Sequence, residues 1–301
     1  FGRPGPVHLV PNWPRPLVWD AVMLLIQGLY NPDAFDAMEA LCVAARELDL
    51  VPAHEPFPEL QIAAVRARQH RVEEALAITD RTVARHPDMS PTRRAMAQHN
   101  RAIILKMSGR VTEAYENLRE AVTLFRLSSE RWYLGQSLQA QGLVEISAFS
   151  LRDGTRHLEE GRAQLATTGQ RWPWHQATFN LAVACYKSGR PADSLRLADE
   201  VEEPQRRCGA LQGWLLTRLV RAKAHVVRGD AAAAADIARR VVPDAHRMGW
   251  EREVILGWEI LGDAALLRGR HRRARRFFRR ALTLAHRRAL RCDLIAGLLR
   301  R

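Results

Sequence analysis

The sequence predicts an all-α protein, a solenoid of about seven helix-turn-helix repeats with a period near 40 residues. Three observations predict it. A small residue recurs as Gly262, Ala222, Ala182, Gly142, Ala102 and Ala63, at spacings of 40, 40, 40, 40 and 39. Seven residues after it stands a turn position, occupied by Gly269, Gly229, Gly189 and Gly109 in four units and by Phe149 and His70 in the other two. Beyond the turn, apolar residues return at three- and four-residue steps, as in Ala114, Leu118, Ala121 and Leu124, the stripe of a helix that buries one face.

Each segment then follows in order. Residues 1–16, "FGRPGPVHLVPNWPRP", carry five prolines and two glycines and are expected to form an extended lead-in. Residues 17–288 hold the seven repeats, the first of them weaker, with Leu25 in the small slot and Ala37, Leu41 and Ala44 on its second helix. A 40-residue period less its turns leaves two helices of roughly 16 residues, about 24 Å each. Small residues let paired backbones approach, and glycine reaches positive φ at little cost. One such hairpin cannot bury its apolar face alone, so stacking is obligatory. The fourth repeat has Gly142, Gly154 and Gly161 and no turn glycine. It is expected to be a flexible seam, since glycine inside a helix costs about 1 kcal/mol. Residues 289–301 begin the first helix of a further repeat.

The last complete repeat, "WEILGDAALLRGRHRRARRFFRRAL", places Trp258, Leu261, Gly262, Gly269, Ala274, Phe278 and Ala281 so that it resembles the tetratricopeptide pattern. The joints "LATTGQRW", "DAHRMGWERE" and "LAHRRALR" resemble those of the longer repeats in MalT-like bacterial transcriptional regulators. The resemblance implies a right-handed α-solenoid whose first helices line a concave groove and whose second helices form the convex side. It also implies a sensor or coupling arm, with a DNA-binding domain and an NTPase outside these residues. The chain begins at Phe1 rather than Met and stops inside a predicted helix, which is read as a piece of something longer.

Carried over residue by residue, the resemblance makes groove candidates of Tyr30, Phe57, His99, Asn100 and Lys106 in the early repeats. The middle repeats add Gln136, Gln139, Gln176, Phe179 and Tyr186, and the late ones Lys223, Glu259 and Asp263. This mixed surface suits a peptide, a partner protein or a small effector. The same stripes are also what a self-buried core would show. Trp132, Trp172, Trp174, Trp214 and Trp250 fall at repeat starts, where they are expected to seal the joints.

The formal net charge is +13, and eleven arginines lie between Arg268 and Arg291 with no acidic residue among them. Since only Lys106, Lys187 and Lys223 are lysine, codon composition accounts for much of the arginine. In the repeat register Ala274, Phe278, Ala281 and Leu284 point inward. Arg272, Arg273, Arg275, Arg276, Arg279 and Arg280 then form a basic patch on the outer wall, their stems covering apolar surface. Direct nucleic-acid contact through this helix ranks third among the readings.

No phosphate-binding loop, dinucleotide fingerprint, nucleophile elbow or HExxH is present, and the eleven histidines never pair at helical spacing. No catalytic residue, metal or cofactor is therefore expected. The second reading is an enzyme with its site in the groove, assembled from His99, Glu145, Glu259 and Asp263. Cys42, Cys185, Cys208 and Cys292 lack CxxC spacing, which fits reduced thiols in the cytoplasm. No apolar run reaches the roughly 18 residues of a membrane span. The leading expectation is a non-catalytic binding and sensor module.

Overall fold

The computed structural model describes residues 14–28, 35–52 and 55–287. Among these residues there are fourteen helices and no strand. They are α1 (Arg15–Gly28), α2 (Phe35–Glu47), α3 (Phe57–Arg68), α4 (Val72–Arg85), α5 (Pro91–Met107), α6 (Val111–Arg126) and α7 (Arg131–Ala148). There follow α8 (Leu151–Ala166), α9 (Arg171–Lys187), α10 (Pro191–Arg207), α11 (Leu211–Val227), α12 (Ala231–Arg247), α13 (Glu251–Leu267) and α14 (His271–Arg287). Most of the expected lead-in, and the further helix at 289–301, lie outside the described residues. The helices pack sequentially as pairs, and the chain divides into two compact units, Phe1–Val144 and Glu145–Arg301. The division falls inside α7, in the glycine-rich fourth repeat.

The second unit is the more regular. From α9 to α14 every helix has 17 residues and starts 20 after the last. Against the usual repeat of about 34, each helix gains about three residues, or roughly 4.5 Å. The turn glycines take positive φ, from 67° at Gly269 to 84° at Gly229. Gly169, Gly209 and Gly249, at the joints between pairs, do the same. After every one of these glycines but Gly169, where the Gln170 N–H turns to Thr168 Oγ1 at 3.4 Å, the next residue donates back five positions, as Arg190 N–H does to Cys185 O (2.9 Å) and Arg270 N–H to Ala265 O (2.8 Å). This is the Schellman closure, which satisfies the last carbonyls of a helix. One device thus ends α9 to α13, whether a turn or a joint follows.

The exceptions are informative. Phe149 occupies the fourth turn slot without positive φ, and there Ser150 caps α8, its Oγ accepting from Asp153 N–H at 3.2 Å. His70 occupies the second slot in the left-handed region, φ 62°, with the same back-donation from Arg71 N–H to Arg66 O at 2.9 Å. A side chain there carries steric strain that glycine lacks. Because His70 is exposed, His70→Gly is expected to stabilise the first unit by about 1 kcal/mol. An unchanged or lowered melting temperature would contradict this.

The small slots are where the helices meet. Ala63, Ala75, Ala102 and Ala114 in the first unit are fully buried, as are Ala222, Ala234 and, within 1%, Ala182 and Ala274 in the second. Ser194 Oγ donates to Ala182 O at 2.8 Å, so the two small slots of one pair touch. At Gly262 the Phe278 ring lies where a Cβ would be. Trp19, Met38, Phe57, Met96, Phe125 and Leu138 anchor the core of the first unit. Cys42 and Cys185 are free and buried, and burial, then the charges of Glu59 and Glu39, push the Cys42 thiol up to about 12.

Candidate binding surface on the first helices

In the second unit α9 contacts α11 and α11 contacts α13, so the first helices of successive pairs form a continuous layer. A charged cluster lies within it. The Lys223 ammonium donates to Glu259 Oε1 at 2.9 Å and to Asp263 Oδ2 at 3.0 Å, joining α11 to α13. Lys223 is only 6% exposed, and its partners' side chains are 12% and 13% exposed. Burial, and next the like charge of Lys223, lower the pKa of Lys187 on α9. On the same helix Gln176 donates to Asn180 Oδ1 at 3.2 Å, with half-buried Phe179 and Tyr186 at helical steps beyond it. The structure therefore brings Lys223, Glu259 and Asp263 together. It places Gln176, Phe179 and Tyr186 along a neighbouring helix.

The first-unit candidates are more deeply placed. Phe57, expected on the groove surface, is fully buried, edge-on to Trp19 at 6.2 Å. Its position at the first turn of α3 turns it into the core rather than outward. Asn100 Nδ2 donates to Leu60 O at 2.7 Å and so ties α5 to α3. Gln139 is buried, Lys106 and Gln136 are half-buried, and Tyr30 lies outside the described residues. His99 Nδ1 lies 2.9 Å from Ser137 Oγ, and Ser137 has no exposure at all. Glu145, in the second unit, is buried against His157 at 2.6 Å.

Burial, and then the charge of Arg68, lower the pKa of His99 to about 4. The unfolded chain, with an ordinary histidine near 6.5, therefore binds more protons between those values. The His99 contribution to stability is complete above about pH 6.5 and falls as the pH drops through 4, by up to about 3 kcal/mol. His99→Gln should flatten the melting temperature of the first unit against pH in that window. A parallel curve would contradict the assignment.

One constellation has no signature in the repeat pattern. Arg93, at the start of α5, makes two 2.8 Å contacts to the Glu55 carboxylate. It also lies 3.3 Å from Met96 Sδ, 3.5 Å from Met23 Sδ and 5.1 Å over the Phe57 ring. Beside it opens a cleft of about 560 Å³ lined by Trp19, Met23, Val51, Pro52, Glu55 and Arg93 among others. Glu55 lies in a connection and Arg93 faces it from 38 residues away. Chain packing alone brings them together.

No protein-family model matches the sequence, and no curated protein matches it. Solved structures match in fold. A tetratricopeptide repeat protein from Parabacteroides merdae matches with TM-score 0.53 and 15% identity, over 94% of this chain and 98% of that one. The chain is a tetratricopeptide-like helical repeat array. A Rap protein complexed with Competence and Sporulation Factor is similar with TM-score 0.63 and 12% identity, over 78% of this chain and 67% of its own. NprR in complex with its cognate peptide NprX gives TM-score 0.63 and 11% identity, over 78% and 68%. At these identities the likeness is one of fold.

In this tetratricopeptide-like array, Arg272, Arg273, Arg275, Arg276, Arg279 and Arg280 are all exposed on α14, opposite buried Ala274 and Ala281. Trp214 and Trp250 pack against the core of the second unit. The Arg218 guanidinium lies 5.0 Å over the Trp214 ring. Among the described residues no helix is long and apolar enough to cross a membrane.

Proposed function

We propose that the chain is a non-catalytic binding module that holds a peptide or a partner-protein segment on the first-helix face of its second unit. It would serve as the sensor part of a larger bacterial regulator of the MalT-like kind. The observation that carries the reading is the cluster of Lys223, Glu259 and Asp263. At the register of Lys223 and Asp263, 40 residues apart, the earlier repeats carry Val183, Leu143 and Ile103. An apolar residue therefore suffices for packing at that slot. Charges drawn out of water there cost stability rather than add to it. Such groups suit a ligand with amide and charged ends, and Phe179 and Tyr186 beside them supply apolar contact.

The similar folds of a Rap protein and of NprR, each with a bound factor or peptide in its own structure, support the same reading. A non-catalytic role is supported by how the four candidate groups are engaged. Burial holds His99 neutral near pH 7 beside unexposed Ser137, Glu145 is taken by His157, and Glu259 and Asp263 share Lys223. A second reading, a small effector, is favoured by the Trp19–Arg93 cleft, whose 560 Å³ lies within the usual range for ligand sites.

Selection of a displayed library of random peptides against the purified chain tests the first reading. Phe179→Ala and Tyr186→Ala should each weaken the selected peptides by roughly tenfold or more while leaving the chain folded, as circular dichroism checks. Peptides that bind both variants as well as the parent, or a selection that enriches none, would overturn it.

A further inference from the structure

Among the second helices of the second unit, α14 differs in how its arginines are balanced. On α8, α10 and α12 arginines stand three or four residues from a carboxylate, as in Arg156–Asp153, Arg196–Glu200, Arg207–Glu203, Arg240–Asp236 and Arg247–Asp244. Such pairs are the ordinary furniture of an exposed helix face. α14 has no acidic residue from His271 to Arg287, and among the described residues its six outer arginines have no ion-pair partner. A preference for arginine codons explains arginine in place of lysine. It does not explain the loss of the carboxylates.

Four further observations converge at the start of this helix. Arg239 of α12, Arg268 and Arg270 of the turn, and Arg273 of α14 ring a shallow pocket. Its floor is apolar, built from Ala235, Leu261, Ala264 and Ala265, with Phe277 as a wall. None of the four guanidiniums has an ion-pair partner among the described residues, and Arg273 lies 5.9 Å over the Phe277 ring. Like charges gathered over a low-dielectric floor repel, and an anion set among them removes that repulsion. Guanidinium forks match phosphate oxygens two at a time.

We propose that this pocket and the outer face of α14 bind the phosphodiester backbone of nucleic acid, without regard to base sequence. One phosphate sits at the mouth of this small pocket, of about 30 Å³, facing Arg239, Arg268, Arg270 and Arg273. The following phosphates meet Arg272, Arg276 and Arg280, a row at four-residue steps whose members are about 6 Å apart along the helix. The alternative macromolecule, an acidic protein segment, fits less well. Beyond the pocket, none of the exposed residues described on the outer face of α14 is apolar, whereas protein interfaces build their core from apolar and aromatic side chains. Nucleic-acid interfaces are polar and strongly positive throughout. The proposal is independent of the first-helix face, which lies on other helices and other side chains.

The test is anisotropy of labelled DNA of arbitrary sequence, about 20 base pairs or a single strand of the same length, between roughly 50 and 200 mM NaCl. The full chain should bind with an affinity that falls steeply with salt, a slope of about −4 or steeper in the logarithms for the duplex. Arg239→Gln/Arg268→Gln/Arg270→Gln/Arg273→Gln should flatten that slope by about one, the single phosphate held there, and weaken binding at least tenfold at the lower salt. The control Arg196→Gln/Arg206→Gln/Arg207→Gln/Arg247→Gln removes equal charge elsewhere on the same unit and should change binding little. Circular dichroism confirms that each variant is folded, and if the quadruple variant unfolds, Arg268→Gln/Arg270→Gln in the exposed turn gives the same comparison at half the effect. Three results would overturn the proposal: equal losses in pocket and control variants, a salt slope shallower than one phosphate contact, or displacement of the DNA by polyglutamate as readily as by unlabelled DNA of equal charge.

Discussion

Lys223→Met is expected to lower the stability of the second unit by about 3 kcal/mol, a fall of roughly 6–12 °C in its melting temperature. The ammonium is nearly buried and bridges two carboxylates of α13, Glu259 and Asp263, one helical turn apart. Without it those like charges face each other at a step where repulsion is felt, in surroundings that screen it poorly. The companion variant Lys223→Val/Glu259→Leu/Asp263→Val restores the apolar character of the earlier repeats, where Val183 and Leu143 occupy the same slot. It should recover most of the lost stability, because replacing a buried ion cluster by packed apolar residues is often neutral or better. It should also abolish capture of any peptide selected through the cluster. Thermal melts of the parent, the single and the triple variant check this, and a single variant as stable as the parent would refute it.

Gly262→Val should destabilise the α13–α14 pair by about 3 kcal/mol, and Gly262→Ala by about 1–2 kcal/mol. Alanine is the better helix former by nearly 1 kcal/mol, so the sign depends on space. Space decides against it. A Cβ at 262 would stand 2.3 Å from Phe278 Cε1, 2.6 Å from Cζ and 2.7 Å from Cδ1, and the ring belongs to the facing helix. Shrinking the ring should relieve the overlap, so Gly262→Ala/Phe278→Leu should cost less than the two single changes added together. Strict additivity in denaturant melts would show that the close approach is not what the glycine serves.

Much of the architecture was legible because it repeats. The slots of Ala182, Ala222 and Gly262 and the turns at Gly189, Gly229 and Gly269 declare themselves by a period that chance does not produce. The ladder was even finer than a 40-residue template reveals. Gly169, Gly209 and Gly249 halve the period to 20, since a joint between pairs must end a helix as a turn within a pair does. The site was legible only as a set of positions. Lys223, Glu259 and Asp263 could be assigned to one face from the register, but not that they neutralise one another. Phe57 fitted a groove slot by the same register and is fully buried.

The sequence by itself determined the repeat of this protein: where its small slots and turns recur, which face of a second helix is apolar, and where the arginines of α14 lose their carboxylates. These are local properties, set by spacing along one chain and by the φ that a residue can reach. Only the tertiary structure decided which charges meet. It seats Arg93 against Glu55, Lys223 between two carboxylates, and Arg239 beside the arginines of a turn some 30 residues on. Whether a charged group is paired, buried or left lining a pocket depends on distances between helices. Those distances follow from packing small residues and rings against one another, as Gly262 and Phe278 do, and no spacing along the chain records them.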